Sequence, residues 1–222
     1  FKNTLGESAE FNVLNYGYFY NGGGVAVGDI NNDGLPDIYL TGNMKASQLY
    51  LNKGDWKFEE IAVQAGVEAA GLWNTGVTMA DVNNDGWLDI YVCRGGTLDK
   101  DENMRTNLLY INNGDYTFVE KGAEYGLDDA GYSVQAAFLD YDKDGDLDMY
   151  LANRLHKFRG KTPVSHLSPT DFPEHNRDKL YRNNGNGSFT NIGTQAGLDS
   201  YSASLGVAVG DLNLDGWPDI YV

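Results

Sequence analysis

Four acidic loops carry the residues in this sequence that could do chemistry. They read Asp29-Ile-Asn-Asn-Asp-Gly-Leu-Pro-Asp37, Asp81-Val-Asn-Asn-Asp-Gly-Trp-Leu-Asp89, Asp140-Tyr-Asp-Lys-Asp-Gly-Asp-Leu-Asp148 and Asp211-Leu-Asn-Leu-Asp-Gly-Trp-Pro-Asp219. Each sets side-chain oxygens at positions 1, 3, 5 and 9 and offers a backbone carbonyl at position 7. A glycine at position 6 (Gly34, Gly86, Gly145, Gly216) permits the sharp bend. Hard divalent cations take six to eight oxygen ligands, and calcium tolerates the irregular geometry of a turn better than magnesium, which demands an octahedron and keeps its waters. An EF-hand begins the same way but needs a bidentate Glu at position 12. Position 12 here is Leu40, Val92, Leu151 or Val222, and the flanks read as strands, so the EF-hand is excluded. The alternative is an acidic Asx turn without a cation. Thirteen carboxylates at positions 1, 3, 5 and 9 of four short loops would then repel one another.

The elements that must position these loops repeat with them. The loops start at intervals of 52, 59 and 71 residues. Before each stands a small apolar run, Gly24-Val-Ala-Val-Gly28 in the first copy, and after each comes Ile-Tyr or Met-Tyr. Three copies continue with Leu49-Tyr-Leu-Asn52, Leu109-Tyr-Ile-Asn112 and Leu180-Tyr-Arg-Asn183, a Gly-containing turn, and a strand opening on Phe58, Phe118 or Phe189. Short β-branched and aromatic runs bounded by Asn, Asp and Gly are strand signals, and Asn-Gly turns suit hairpins because both residues tolerate positive φ. Helical periodicity is confined to 61–65 and 122–125. Four-stranded units at this period predict an all-β fold, a β-propeller of four-stranded antiparallel blades. The blades are expected over 24–65, 76–121 and 134–193, the last with an insertion at 152–180, followed by a half blade over 206–222. Phe1-Lys-Asn-Thr-Leu5 matches the opening of the fourth strands and is expected to close a blade, within a longer ring of seven.

The run Gly24-Val-Ala-Val-Gly-Asp-Ile-Asn-Asn-Asp-Gly-Leu-Pro-Asp-Ile-Tyr39 resembles the FG-GAP/VCBS-type repeat propellers, including the calcium blades of integrin α subunits. The Leu-Tyr-x-Asn continuation is similar to bacterial VCBS-repeat proteins and to the cartilage-acidic-protein (ASPIC/UnbV) group. The resemblance implies up to four Ca2+ sites. Side-chain ligands would be Asp29, Asn31, Asp33 and Asp37; Asp81, Asn83, Asp85 and Asp89; Asp140, Asp142, Asp144 and Asp148; and Asp211, Asn213, Asp215 and Asp219. Carbonyls would come from Leu35, Trp87, Asp146 and Trp217.

Composition bounds the rest. Sixteen basic against 32 acidic residues give a net charge of −16 and a pI near 4.3. That argues against sequence-independent nucleic-acid binding and against docking on anionic lipid. No apolar run approaches the ~18 residues of a membrane span, and no basic-then-apolar leader opens the chain, which is therefore cytosolic or already processed. One cysteine, Cys93, allows no disulfide framework and reads as a packed thiol. Gly22–Gly28 is no dinucleotide loop, because it leads into a strand and an acidic turn rather than a helix. Asn186-Gly-Ser188 is a glycosylation sequon, and no Gly-x-Ser-x-Gly elbow or His-Glu-x-x-His helix occurs.

The insertion 152–180 holds six basic and three acidic residues and all three histidines, His156, His166 and His175, at spacings that match no metal motif. Long loops on a rigid scaffold carry function. The connections 41–47, 93–107 and 152–180 should share the face opposite the cation loops, led by Arg94, Arg105, Arg154, Lys157 and Arg159 toward an acidic or carboxylated partner. The function expected is a non-enzymatic calcium-binding module of a secreted or cell-surface protein, for adhesion or for protein or glycan binding. Its rivals are an accessory subunit of a surface nutrient-uptake assembly and the scaffold of a polysaccharide-acting enzyme. Filling of such sites requires extracellular calcium levels.

Overall fold

A computed structural model describes residues 1–96, 102–155, 174–198 and 204–222. Small apolar runs bounded by Asp-Gly and Asn-Gly turns form short antiparallel strands in three four-stranded sheets and one two-stranded sheet. The first sheet comprises β1 (Val25–Gly28), β2 (Asp37–Leu40), β3 (Gln48–Asn52) and β4 (Phe58–Glu60), in that spatial order. The second comprises β5 (Asn74–Ala80), β6 (Asp89–Arg94), β7 (Leu108–Asn112) and β8 (Phe118–Glu120). The third comprises β9 (Ser133–Leu139), β10 (Asp148–Asn153), β11 (Lys179–Asn183) and β12 (Phe189–Asn191), and the two-stranded sheet pairs β13 (Ala208–Gly210) with β14 (Asp219–Tyr221). Single helical turns α1 (Ala62–Ala65) and α2 (Gly122–Tyr125) follow the fourth strands, where the sequence allows them, each ending in a left-handed glycine, Gly66 or Gly126.

The first strands β1, β5, β9 and β13 stand beside one another in chain order, as the inner strands of adjacent propeller blades do. Small residues there permit close approach. A Cβ on Gly76 would lie 2.3 Å from the Val134 carbonyl oxygen. Thr78 Oγ1 donates to the Ala136 carbonyl at 2.6 Å, tying β5 to β9. Between sheets the core repeats: Tyr39, Leu49 and Leu51 pack with Met79 and Leu88 of the next sheet, and Tyr91, Leu109 and Ile111 with Phe138 and Leu147 of the one after. The second-strand tyrosines Tyr39 and Tyr91 are buried and donate to the carbonyls of Val67 and Leu127, at 2.6 and 2.9 Å. Their counterpart Tyr221, with no third strand beside it, is 70% exposed.

Phe1–Leu5 lies against the connection between β2 and β3. These residues form no strand, and Asn3 instead pairs with Asn43 through both side chain and backbone.

Candidate metal centre

Each acidic loop joins the first strand of a sheet to the second, and one hydrogen-bond pattern shapes all four. Position 1 accepts from the N–H groups of positions 5 and 6: Asp29 from Asp33 and Gly34 at 3.2 and 2.7 Å, Asp81 from Asp85 and Gly86 at 3.0 and 2.8 Å. Asp140 and Asp211 do the same. The position-5 carboxylates Asp33, Asp85, Asp144 and Asp215 accept from the N–H of position 7, that is Leu35, Trp87, Asp146 and Trp217. Position 4 sits in the left-handed region in every loop, at Asn32, Asn84, Lys143 and Leu214.

Position 9 anchors the loop to the sheet. Asp37, Asp89 and Asp148 are buried to 0–1% exposure. One carboxylate oxygen of each accepts from the N–H of position 2 (Ile30, Val82, Tyr141), and the other from the N–H of Asn52, Asn112 or Asn183 at the end of the third strand. Asp219 keeps the first of these bonds, from Leu212 at 2.8 Å. Burial raises the Asp37 carboxyl and pushes Asp89 up to about 7 and Asp148 up to about 6, against the pull of those backbone N–H bonds. The exposed Asp215 is held below the ordinary carboxylate range, first by the Trp217 N–H and then by Asn213.

The donor set fits a hard cation. Asp140, Asp142 and Asp148 bring one carboxylate oxygen each within 4.8 Å of one another. In the other three loops position 3 is Asn, whose amide nitrogen donates to the position-5 carboxylate: Asn31 to Asp33, Asn83 to Asp85, Asn213 to Asp215. Asp142 has no such proton, and its buried Oδ1 has no hydrogen-bond partner. A buried carboxylate oxygen without a donor is costly, and a divalent cation offsets that cost.

The asparagines closing the third strands are the residues whose role the sequence reading missed. Asn112 donates from Nδ2 to Leu88 O (3.0 Å) in its own loop and to Ile30 O (2.9 Å) in the preceding one. Asn183 repeats this, reaching Leu147 O at 3.2 Å and Val82 O at 3.3 Å. Both also accept from the hairpin glycines Gly114 and Gly185. A continuous chain of bonds therefore runs Asp37–Ile30–Asn112–Asp89–Val82–Asn183–Asp148 across three loops. The signal was present in the recurring Leu-Tyr-x-Asn.

A family model for the FG-GAP-like repeat matches residues 29–92, 98–151 and 170–222. The chain belongs to the FG-GAP-like repeat family. Within it, this FG-GAP-like chain is 42% identical over 72 residues to cartilage acidic protein 1 of Xenopus tropicalis and 39% identical over 72 residues to cartilage acidic protein 1 of Homo sapiens. Each match covers 32% of this chain and 11% of the relative, so the matched stretch spans about a tenth of those proteins.

The arginines expected to lead a recognition face are not offered to solvent. Arg94, Arg105 and Arg154 are 7, 5 and 2% exposed. Arg94 donates to Asn74 Oδ1 and the Thr106 carbonyl, and Arg105 to the Ala130 carbonyl while lying 4.7 Å from the Tyr132 ring centroid. Planar guanidiniums can satisfy the loop carbonyls that a β-meander leaves unpaired, so these side chains hold the long connections in place. Lys157, Arg159, His156 and His166 lie outside the described residues. His175 is described and packs edge-on to Tyr132 with ring centroids 5.6 Å apart. Cys93 is fully buried and burial raises its thiol, as a packed rather than a reactive cysteine requires.

Proposed function

We infer that the chain is a calcium-stabilised β-propeller module of an extracellular protein, working by binding rather than catalysis. The observation that carries this reading is the recurrence, in four loops, of one backbone-templated oxygen cage whose third copy leaves a buried carboxylate oxygen without a donor. Asp29, Asn31, Asp33 and Asp37 would hold one cation, with the corresponding residues of the other loops holding theirs. The cation would supply charge neutralisation and rigidity. The chain's own residues orient the carboxylates and, through Asn112 and Asn183, lock one loop to the next.

Compartment follows from chemistry and kinship. Oxygen-rich loops in extracellular modules fill at about 10⁻⁴–10⁻³ M calcium, and two relatives carry the name cartilage acidic protein 1. Among the described residues no helix is long and apolar enough to cross a membrane. The test is a calcium titration by calorimetry alongside a glycan and protein-ligand screen in calcium and in chelator. Saturable binding of several cations per chain, with partner capture only in calcium, is the expected result. A chain that takes up no calcium at millimolar concentration overturns the reading.

A further inference from the structure

Where the inner strands β5 and β9 begin, the N-terminal segment folds back as an aromatic cluster. Phe11 and Tyr16 meet Trp73 edge-on, with ring centroids 5.1 and 5.3 Å apart. Between this cluster and the strands lies a cavity of about 160 Å³, lined by Tyr16, Tyr18, Trp73, Gln135, Arg154 and Leu205. Its charged member is Arg154, 2% exposed. Nη2 donates to Tyr16 Oη and to the Gly95 carbonyl, each at 2.9 Å, and Nη1 to the Leu155 carbonyl at 3.4 Å. The guanidinium carbon lies 4.8, 4.6 and 5.0 Å from the ring centroids of Tyr16, Tyr18 and Tyr132. Nε, equally buried, has no hydrogen-bond partner, and among the described residues no carboxylate pairs with this cation.

A buried charge is normally paired, because desolvation without a counter-ion is expensive. The chain has 32 acidic residues, yet none among the described ones pairs with Arg154. Ring faces offset part of the cost, but the buried Nε has no acceptor among the described residues. Sites for drug-sized ligands run to about 300–1,000 Å³, so this hollow has room for a single ring. Walls of Tyr and Trp present apolar faces with polar edges, which suits a saturated ring bearing hydroxyls better than an extended peptide.

We propose that this cavity binds one carboxylated sugar residue, its carboxylate on Arg154 and its ring against Tyr18 and Trp73. The proposal gives a ligand class to the binding role inferred above. It rests on that role and not on the cation sites.

The test titrates glucuronate into the calcium-loaded chain by calorimetry at low ionic strength, with glucose and glutarate as comparison ligands. One saturable site for glucuronate is expected, with glucose and glutarate each at least tenfold weaker. Arg154→Gln should abolish binding. Because Arg154 is a packing residue and that variant can unfold, Gln135→Glu is the second variant: a carboxylate on the cavity wall competes for Arg154, lowering affinity at least tenfold without lowering Tm. Absence of saturable glucuronate binding, equal binding of glucose, or unchanged affinity in Gln135→Glu overturns the site. Tighter binding of glutarate overturns the sugar assignment. Calcium titration of the same samples separates the two readings, since a chain that binds calcium but not glucuronate loses only this proposal.

Discussion

Position 5 of the third loop separates coordination from mere charge. Asp144 accepts the Asp146 N–H within the loop, and Asn at that position would keep one side-chain oxygen for the cation and for that bond. Asp144→Asn should therefore weaken calcium binding at this loop less than Asp144→Ala, by about tenfold or roughly 1.4 kcal/mol. Equal loss in calorimetry would mean that carboxylate charge alone matters there. His175 supplies a pH dependence of known sign. Burial, followed by the Arg105 charge, lowers its pKa below the ordinary histidine value of about 6.5. The folded state thus disfavours the imidazolium. Its contribution to stability is complete above the unfolded pKa and is lost as pH falls from about 6.5 through the lower folded value. Wild-type Tm should fall more steeply than that of His175→Gln between about pH 7 and pH 5; parallel curves would refute this.

At the scale of elements, the third strand does more than complete a sheet. Its terminal asparagine anchors the position-9 carboxylate through its backbone N–H and reaches the preceding loop through its side chain. Asn112→Ala strands the buried carbonyl of Ile30 along with that of Leu88, a loss of about 1–3 kcal/mol. Because the two loops share that residue, calcium affinity should drop at both the Asp29–Asp37 and the Asp81–Asp89 loops. Asn52→Ala should affect one, because Asn52 Nδ2 donates to Pro36 O in its own loop, its Oδ1 accepts from the hairpin Gly54, and neither bond reaches another cation loop. Lanthanide luminescence excited through Trp87 reads the second loop, and the number of tight sites lost in calorimetry, two rather than one, would show that the first loop responds as well. The inner strands make a parallel point about sterics. Gly76→Ala forces a Cβ to 2.3 Å from the Val134 oxygen, so β5 and β9 must separate and Tm should fall by several degrees.

For the whole molecule, cations are the largest adjustable term. The formal charge of −16 includes the thirteen carboxylates at the side-chain ligand positions of the four loops. A ligand that binds only the folded state stabilises it by mass action, about 2.7 kcal/mol per site at a hundred times Kd. Excess EDTA should therefore lower Tm by well over 10 °C, with calcium restoring it and sodium not. An unchanged melting curve in chelator would count against every cation loop at once. The same molecule buries three arginines in its long connections, and their removal is expected to loosen those connections even in saturating calcium.

What could be read without coordinates was whatever depends on local chemistry repeated along the chain. Asp-x-Asn-x-Asp-Gly-x-x-Asp carries its own geometry, because a glycine at position 6 and Asx side chains that bond to the backbone two to five residues on shape the loop wherever it is placed. Alternating short strands and Asn-Gly turns likewise announced four-stranded antiparallel sheets, and the brief helical turns at 62–65 and 122–125 fell where expected. Three things were decided only by the tertiary structure. Burial of Arg94, Arg105 and Arg154 was invisible, since charge in a loop reads as solvated until the loop's unpaired carbonyls are located. Pairing of Asn3 with Asn43, 40 positions away, ties Phe1–Leu5 to the connection between β2 and β3, which no local pattern announces. The bond chain through Asn112 and Asn183 joins residues 82 and 101 positions apart. Contacts of that range arise from the stacking of one sheet on the next, which local pattern cannot encode.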